Sequence, residues 1–363
     1  MANSLSVPRF YPPKPLNAKT SSLSERLPQI TKLGTPAYRT ATGAAFLGDS
    51  LEVMRQLPDN SVDLIFTSPP FALRRKKAYG NQPAEAYVAW FLNFGREFRR
   101  VLKDTGSLVI DIGGSWNPGE ATKSLYHYKL LIALVEDVQL HLAQEVFWYN
   151  PARLPTPAQW VCIKRTRLKD AVNMVWWLSK TPTPNADNRR VLTQYKADQR
   201  ALINGVAYNE GVRPSEHVIS DKFGVNNGGA IPPNYLDEDI LDSLVRENLI
   251  RAANTSASDP YLKGCKQIKA VLHPARIPAA LPEFFIRLLT EPGDVVLDPF
   301  GGSNVTGAIA EELGRHWIAI EQDAHYLFAS QTRFVDDARS LLTRRQHPAF
   351  DTIVAELTAS PAD

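Results

Sequence analysis

The sequence has little cysteine and no long apolar run. Its 363 residues include two cysteines, Cys162 and Cys265, and neither has the CxxC or histidine spacing of zinc ligands. This argues against a disulfide framework and against a metal site. No run approaches the roughly 20 apolar residues that span a bilayer, and the N-terminal stretch lacks the apolar core of a secretory signal. We therefore expect a cytoplasmic protein.

Two phosphate-binding signatures are also missing. The sequence contains neither GxGxxG nor GxxxxGK followed by Ser or Thr, the loops that hold NAD and nucleoside triphosphates. A nicotinamide-dependent oxidoreductase is therefore disfavoured. The sequence also has no large excess of charge of one sign. It contains 41 Lys and Arg residues and 38 Asp and Glu residues, for a net charge of +3. This balance permits a nucleic-acid partner without requiring one.

What is present is an alternation of strand-like and helix-like runs. Strands are predicted for VDLIFT, GSLVIDIGG, LAQEVFWYN and DAVNMVWWLSKT, and amphipathic helices for AEAYVAWFLNFGREFRRVL and KLLIALVEDV. Such alternation predicts βαβ units and an α/β fold with a largely parallel sheet. Between about residues 181 and 270 the pattern gives way to polar, turn-rich sequence and then resumes. An insert of that length is usually functional.

The stretch TSPPF, residues 67–71, follows one of the apolar strands. Its two prolines stop sheet pairing and stiffen the chain beyond the carboxyl end of the strand. That edge is where open α/β sheets bind ligands. On its own the Pro-Pro pair favours an ordinary strand stop, so the interpretation depends on the rest of the chain.

A second motif, VVLDPFGGSNVTG, combines a buried strand, a Gly-Gly turn and a helix start. Asp298 ends the strand, and Glu321 ends the next strand 23 residues later (321 − 298). Glycines let a ligand approach the backbone, and an acid at about this distance can bond a ribose diol. Because no phosphate-binding loop is present, the pattern favours a ligand with a ribose and without a pyrophosphate. S-adenosyl-L-methionine is the commonest such cofactor.

The order TSPPF, polar insert and DPFGGSN resembles an amino-directed DNA methyltransferase with the permuted β-type motif order. The segments GDSLE, LKDAVNMVWW, NNGGAIPPN and HPARIPAALPEFFIRLLTEP extend the similarity to PvuII-type cytosine-N4 modification methyltransferases, from about Pro36 to about Asp337. The resemblance implies a Rossmann-like, S-adenosylmethionine-dependent sheet. Residues 1–40 are rich in Pro, Ser and Lys without a sustained period, which predicts a flexible N-terminal arm. Beyond this arm, we expect a catalytic half at 41–180, a target-recognition region at 181–270, a cofactor-binding half at 271–345 and a C-terminal tail at 346–363.

The resemblance assigns roles to two groups of residues. The catalytic loop consists of Ser68, Pro69, Pro70 and Phe71. In the cofactor group, Glu321 is expected on the ribose hydroxyls and Asp49 near the adenine. The residues expected to line the cofactor turn are Asp298, Phe300, Gly301 and Gly302. Those expected beside the methionine end are His273, Pro274, Arg276 and Pro278. Asn304 departs from the glycine that is common at this point in adenine-modifying relatives.

The chemistry gives a reason for these residue types. The exocyclic amine of cytosine is a poor nucleophile because its lone pair is conjugated into the ring. The Ser68 hydroxyl and the Pro69 carbonyl are acceptors that can hold the amine in line with a methyl donor, and Phe71 offers a stacking face for a base turned out of the duplex. Asp111, at the end of SLVIDIGG, is predicted to accept or relay the amine proton or to bond the ring edge. Capping of the following Gly-Gly turn is an equally good interpretation.

Contacts with double-stranded DNA are predicted in two places. The first is a basic run expected to touch phosphates, Arg74, Arg75, Lys76 and Lys77. The second, by resemblance, reads base edges with Arg213, Ser215, Glu216 and His217. The implied target is a short palindrome, CAGCTG, shared with a cognate restriction endonuclease. Two alternatives stay open: an adenine-N6 methyltransferase, whose loop usually begins with Asp or Asn in place of Ser68, and a non-catalytic DNA-binding relative.

Overall fold

The computed structural model describes residues 33–71, 83–150, 153–206, 211–212, 218–219, 224–244, 259–344 and 347–359. Nine of its strands form one sheet in the order β1-β2-β11-β10-β3-β4-β6-β5-β9, and β7 and β8 form a separate pair. The strands are β1 Tyr38–Arg39, β2 Gly43–Leu47, β3 Val62–Thr67, β4 Leu102–Ile112, β5 His141–Tyr149, β6 Val172–Ser179, β7 Gly211–Val212, β8 Val218–Ile219, β9 Tyr235–Leu236, β10 Val295–Asp298 and β11 His316–Glu321.

The centre of the sheet is parallel, as predicted. Strands β2, β11, β10, β3 and β4 pair in parallel, whereas β6 runs antiparallel to both β4 and β5. β10 comes late in the chain, yet it lies between β11 and β3. The late segment and the early segment therefore share one Rossmann-like sheet, which confirms the α/β fold class and the permuted order of its parts.

Helices cover both faces of this sheet. Their bounds are α1 Ser50–Met54, α2 Ala84–Val101, α3 Tyr126–Glu136, α4 Ala197–Ile203, α5 Glu238–Asp242, α6 Pro260–Ile268, α7 Ala280–Leu289, α8 Val305–Glu312, α9 Ala324–Ser330 and α10 Asp351–Ala359. Short 3₁₀ segments occupy Asn188–Val191, Gln331–Phe334, Ala338–Leu342 and Pro348–Phe350, and a π-helical turn occupies Gln159–Ile163. Helices α1 to α3 pack on one face, and α7 to α9 pack on the other.

The sequence pattern explains why α2 and β3 form. In α2 the buried rings of Tyr87, Phe91, Phe94 and Phe98 recur at helical spacing and make one apolar stripe. β3 alternates instead: Leu64 and Phe66 enter the core on the α7 side, and Ile65 enters the core on the α2 side. A strand buried on both faces reads as a continuous apolar run, so both predicted elements are confirmed.

Parts of the predicted arm, recognition region and tail pack into the hydrophobic core. Ala37 and Tyr38 are buried, so the end of the predicted arm is packed, and residues 1–32 lie outside the described residues. Within the predicted recognition region, Leu236 and Leu241 reach the core beside α7, and in the predicted tail Ile353 does the same. No helix in the described ranges is long and apolar enough to cross a membrane.

Candidate active site

A cleft of about 580 Å³ opens at the carboxyl ends of β3, β4, β10 and β11. Parallel strands bring their carboxyl ends to one edge of the sheet, so motifs that are far apart in sequence meet there. The predicted site residues that line this cleft are Asp49, Ser68, Pro69, Pro70, Phe71, Asp111, His273, Pro274, Arg276, Asp298, Phe300, Gly301, Gly302 and Glu321. The structure thus places the predicted catalytic loop opposite the predicted cofactor turn.

The remaining predicted residues are not in the described part of the cleft. Pro278 does not line it; this half-buried residue comes just before α7, and its carbonyl accepts a hydrogen bond from the Leu281 N–H at 3.0 Å. Its predicted place beside the cofactor stays a prediction. The two predicted DNA-binding groups lie outside the described residues: Arg74, Arg75, Lys76, Lys77, Arg213, Ser215, Glu216 and His217. Their contacts stay predictions.

Ser68 and Asp111 form a hydrogen-bonded pair at the centre of the cleft. The Ser68 hydroxyl donates to Oδ2 of Asp111 at 3.2 Å, and the side-chain amide of Asn173 donates to Oδ1 at 3.2 Å. Arg153 in turn donates from Nη1 to Oδ1 of Asn173 at 2.5 Å. Because Arg153 takes the carbonyl oxygen of this amide, the NH₂ group of Asn173 must face Asp111.

Burial sets the protonation behaviour of Asp111, which is only 2% exposed. Burial raises the pKa of its carboxyl group to about 6. The hydrogen bonds from Ser68 and Asn173 and the charge of Arg153 lower this pKa and so limit the rise. A carboxylate with a pKa of this size is mostly ionised at neutral pH but takes up a proton readily. The following turn is held by a different group, since the Tyr126 hydroxyl donates to the Gly113 carbonyl. Proton transfer and turn capping both stay predictions for Asp111.

The ring of Phe71 lies directly over the backbone of Gly113. A Cβ added at Gly113 would stand 2.5 Å from this ring, so any other residue there would displace it. On the opposite wall, the Phe300 ring packs against Phe94 with centroids 5.1 Å apart and against Trp90 at 6.2 Å. Both aromatic walls of the cleft are therefore fixed by packing.

The cofactor turn approaches its neighbours closely. Gly302 has a left-handed backbone with φ of +51°, and a Cβ there would stand 3.2 Å from the His273 ring. Its N–H donates to Oε2 of Glu321 at 2.8 Å, and the Asp323 N–H donates to Oε1 at 2.9 Å. These bonds fix the carboxylate, whose pKa is raised by burial, and leave it lone pairs with which to accept hydroxyl groups.

Asp298 ties the turn to the sheet. Its carboxylate accepts from the Thr67 hydroxyl at 2.9 Å, the Phe300 N–H at 3.1 Å and the Thr306 hydroxyl at 2.8 Å. Burial raises the pKa of this carboxyl to about 6, and these hydrogen bonds oppose the rise. Asp298 therefore joins the end of β3, the Gly-Gly turn and the start of α8.

Sequence reasoning missed several residues that hold this site. Arg333 donates from Nε to the Ser303 carbonyl at 2.7 Å and from Nη1 to Asp259 at 3.2 Å, and the Tyr261 hydroxyl accepts from the His273 N–H at 2.8 Å. These contacts join residues that are far apart in the chain and carry no local pattern. The positions of Asn173 and Arg153 likewise depend on how β6 pairs with β4.

The lining fits a ligand with a ribose and no pyrophosphate. Arg276 supplies the one Lys or Arg side chain among the described residues that line the cleft, whereas pyrophosphate sites gather cations or glycine-rich loops. The fixed carboxylate of Glu321 beside the Gly-Gly turn suits a ribose diol. The cleft also lies in the usual range of small-molecule sites, roughly 300–1,000 Å³.

Comparison with known proteins agrees with this geometry. A family model described as DNA methylase matches residues 62–332. Type II methyltransferase M.PvuII of Proteus hauseri is 44% identical over 324 residues, which covers 89% of this chain and 91% of the relative. Type II methyltransferase M.ScaI of Streptomyces caespitosus is 24% identical over 324 residues, which covers 88% and 90%.

A solved structure shares the whole architecture. The PvuII DNA methyltransferase, described as cytosine-N4-specific, superposes with a TM-score of 0.66 at 38% sequence identity, and the match covers 88% of this chain and 95% of that one. The family model spans well over half of the sequence, and its matched range contains the sheet edge that forms the cleft. The chain therefore belongs to the DNA methylase family.

Proposed function

We propose that this protein transfers a methyl group from S-adenosyl-L-methionine to the N4 amine of cytosine in double-stranded DNA. The observation that carries the proposal is the pair of Ser68 and Asp111 facing the turn of Gly302 and Glu321 across one cleft. Similarity to M.PvuII and to the solved cytosine-N4-specific PvuII enzyme supports the same reaction.

S-adenosyl-L-methionine is the methyl donor, and it supplies an electrophilic methyl group on a sulfonium. Glu321, fixed by the Gly302 N–H, would accept the ribose hydroxyls. His273 and Arg276 face the same space, where the methionine end would lie. Phe300, fixed by Phe94, would pack against the adenine.

The catalytic loop would position the target amine. The Pro69 carbonyl and the Ser68 hydroxyl oxygen accept the two amine protons, which aligns the nitrogen lone pair with the methyl group. As the N–C bond forms, the bond between the methyl carbon and the sulfonium sulfur breaks, and its electron pair stays on sulfur in S-adenosylhomocysteine. The nitrogen must then lose one proton. That proton passes to Oγ of Ser68 while the Ser68 hydroxyl proton passes to Oδ2 of Asp111, along the hydrogen bond of 3.2 Å. The Asn173 bond keeps Oδ1 of Asp111 out of this exchange.

The target nucleotide must leave the duplex, because its amine is inaccessible in the base stack. Phe71 offers a stacking face at the cleft mouth that offsets part of the unstacking free energy, a few kcal/mol. Cytosine is favoured over adenine because the loop begins with Ser68, whereas adenine-modifying relatives usually carry Asp or Asn there. An adenine-N6 enzyme is the second candidate function, since it would use the same cleft.

The biological setting of the enzyme is part of the proposal. The extent of the match to type II methyltransferases supports a modification role in a restriction-modification system. The target we propose is the palindrome CAGCTG, protected against a cognate endonuclease in the cytoplasm. Cleavage protection of a plasmid after incubation with the protein tests the target, because N4 methylation at CAGCTG would block an endonuclease of that specificity.

Mass-spectrometric analysis of nucleosides from plasmid DNA tests the reaction. DNA incubated with the protein and S-adenosyl-L-methionine should yield N4-methylcytosine, and Ser68→Ala should lower its rate of formation by roughly 10²–10⁴-fold, the usual contribution of a positioned proton-transfer group. Cofactor affinity should stay near the wild-type value. N6-methyladenine as the product would promote the second candidate. Absence of any methylated base, with intact cofactor binding, would favour a non-catalytic relative.

A further inference from the structure

Residues 153–170, here called the basic segment, lie at the same sheet edge as the cleft. The segment connects β5 to β6, and the strand ends beside it pair Tyr149 with Val172 and Ile112 with Met174. Asn150 and Asn173, on either side of the segment, both line the cleft. A base that enters the cleft while still attached to a duplex therefore brings its neighbouring nucleotides close to this segment.

Cations dominate the charge of the segment, and Asp170 at its end is its one acid. Residues 153–169 contain no Asp or Glu, and their cations are Arg153, Lys164, Arg165, Arg167 and Lys169. Two of these point into the protein: Arg153 donates to Asn173, and Arg167 pairs with Asp170 at 3.5 Å with its side chain 12% exposed. Lys164, Arg165 and Lys169 are exposed. Three neighbouring exposed cations complement an anionic partner.

The backbone of the segment is held by hydrogen bonds. A π-helical turn at Gln159–Ile163 is closed by the Lys164 N–H, which donates to the Gln159 carbonyl at 2.9 Å. The Thr166 N–H donates to the Trp160 carbonyl at 2.9 Å, and Nζ of Lys164 lies 4.6 Å from the centroid of the Trp160 ring. Cations on an ordered backbone lose less conformational entropy when they bind a partner.

Apolar side chains are interleaved with these cations. Leu154, Ile163 and Leu168 are 72%, 70% and 89% exposed. Three large exposed apolar side chains on one short segment suit a face that another molecule covers. The deoxyribose rings of a DNA strand offer apolar surface between the phosphates, so one nucleic-acid backbone satisfies both kinds of side chain.

We propose that the basic segment binds the sugar–phosphate backbone of the duplex beside the extruded base, with Lys164, Arg165 and Lys169 on phosphates. The proposal rests on the proposed function only in that DNA is the substrate. A duplex is favoured over a protein partner because the segment is free of acids between residues 153 and 169 and adjoins the cleft. This site is separate from the predicted contacts at residues 74–77 and 213–217.

The test is the salt dependence of DNA binding by a triple variant, Lys164→Gln, Arg165→Gln and Lys169→Gln. Its matched control is Arg96→Gln, Arg99→Gln and Arg189→Gln, with the same change in charge. Arg96 and Arg99 lie near the end of α2, which leads into the start of β4 at the opposite sheet edge, and Arg189 is a surface residue bonded to Asp187. Fluorescence anisotropy with a labelled duplex carrying CAGCTG, in the presence of S-adenosylhomocysteine, reads affinity without turnover.

The proposal predicts that the triple variant lowers the slope of log affinity against log salt by about 3, since each lost phosphate contact removes about 0.9. Affinity should fall by roughly ten- to hundredfold near 0.1 M salt, while the control keeps the wild-type slope. An unchanged slope in the triple variant would overturn the proposal. An unchanged slope together with altered sedimentation would mark the segment as a protein interface, which overturns it as well.

A second measurement uses the thiol of Cys162, which is exposed within the segment, whereas Cys265 is buried. Bound duplex should slow alkylation of Cys162 by N-ethylmaleimide at least severalfold, and equal rates with and without DNA would contradict the contact. Both measurements are independent of methyl transfer. A duplex that binds with the predicted slope but gains no methyl group at cytosine N4 would contradict the proposed function and support this site.

Discussion

Asp111 shows how burial and hydrogen bonding together prepare one carboxyl group for proton transfer. The low polarity of its surroundings favours the protonated acid, and the bonds from Ser68 and Asn173 favour the carboxylate. The result is a pKa of about 6, two units above that of an exposed aspartate, which is roughly 4. The charged and polar groups that set this balance are Ser68, Asn173 and Arg153.

The Asn173 bond should be visible in the pH profile of methyl transfer. In the proposed mechanism the ionised carboxylate accepts the proton, so the single-turnover rate should rise with pH through the pKa of Asp111. Asn173→Ala removes a bond that stabilises the carboxylate, which raises the pKa and moves the midpoint to higher pH. A hydrogen bond to a charged group contributes roughly 1.5 kcal/mol, and 1.36 kcal/mol equals one pKa unit, so the expected shift is about one unit.

The matched control for this profile is Asn234→Ala. The Asn234 amide donates to the Glu145 carbonyl at 3.0 Å, outside the cleft. This variant should keep the wild-type midpoint. A midpoint for Asn173→Ala that is unchanged or displaced to lower pH would contradict the role assigned to the Asn173 bond, and a carbon-13 NMR titration of the Asp111 carboxyl would report the same pKa without catalysis.

Glu321 should act on cofactor affinity. Glu321→Ala removes the acceptor proposed for the ribose hydroxyls and also releases the N–H groups of Gly302 and Asp323. We expect S-adenosylmethionine binding to weaken roughly 10–100-fold, the equivalent of one or two charge-assisted hydrogen bonds. Calorimetric titration measures this. Glu321→Gln keeps an acceptor oxygen and should lose less affinity. A dissociation constant for Glu321→Ala equal to that of the wild type would contradict the proposed contact between Glu321 and the ribose.

At the scale of elements, α8 depends on an unusual N-cap residue, Asn304. Asn304 precedes the helix with a left-handed φ of 50°, and its Oδ1 accepts from the Gly307 N–H at 3.1 Å. Its Nδ2 donates to the Tyr38 hydroxyl at 2.9 Å, which connects the turn to β1. Asparagine tolerates this backbone region and also caps the helix, which gives a physical reason for its presence at this position.

Substitutions at Asn304 should separate backbone strain from capping. Asn304→Gly and Asn304→Ala both lose the bond to Tyr38. Glycine adopts a left-handed backbone without strain and is tolerated as an N-cap residue. Alanine is strained in this backbone region and is a poor N-cap residue. The free energy of unfolding should therefore be lower for Asn304→Ala than for Asn304→Gly by about 1–2 kcal/mol. Chemical denaturation measures the difference, and equal stabilities would show that the backbone at Asn304 carries no strain.

The predictable parts of the site are those that strand ends determine. TSPPF, Asp111, the Gly-Gly turn and Glu321 each follow an apolar strand, and parallel strands place their carboxyl ends at one edge, so their meeting could be predicted. Asn173 could not be, because it lies at the start of a strand, and its contact with Asp111 depends on β6 being antiparallel to β4.

At the scale of the whole molecule, one edge of the sheet brings the proposed cofactor wall and the proposed catalytic loop together. β10 and β11 contribute the cofactor wall, β3 and β4 contribute Ser68 and Asp111, and the segment between β5 and β6 leads from the cleft to the surface. Insertion of β10 beside β3 makes the two walls neighbours even though their motifs lie at opposite ends of the chain. The distance between donor and acceptor is thus set by the sheet, and DNA recognition can be carried by the segments beyond it.

The formation of a bond between the donor methyl carbon and the cytosine N4 atom is the central claim. S-adenosylmethionine labelled with carbon-13 in its methyl group, and a duplex labelled with nitrogen-15 at the cytosine amines, allow that bond to be observed by NMR. We predict a one-bond carbon–nitrogen coupling on the cytosine amine with the wild-type enzyme, and a signal lower by roughly 10²–10⁴-fold after the same short incubation with Ser68→Ala. A labelled methyl group on adenine N6 or on cytosine C5 would contradict the account.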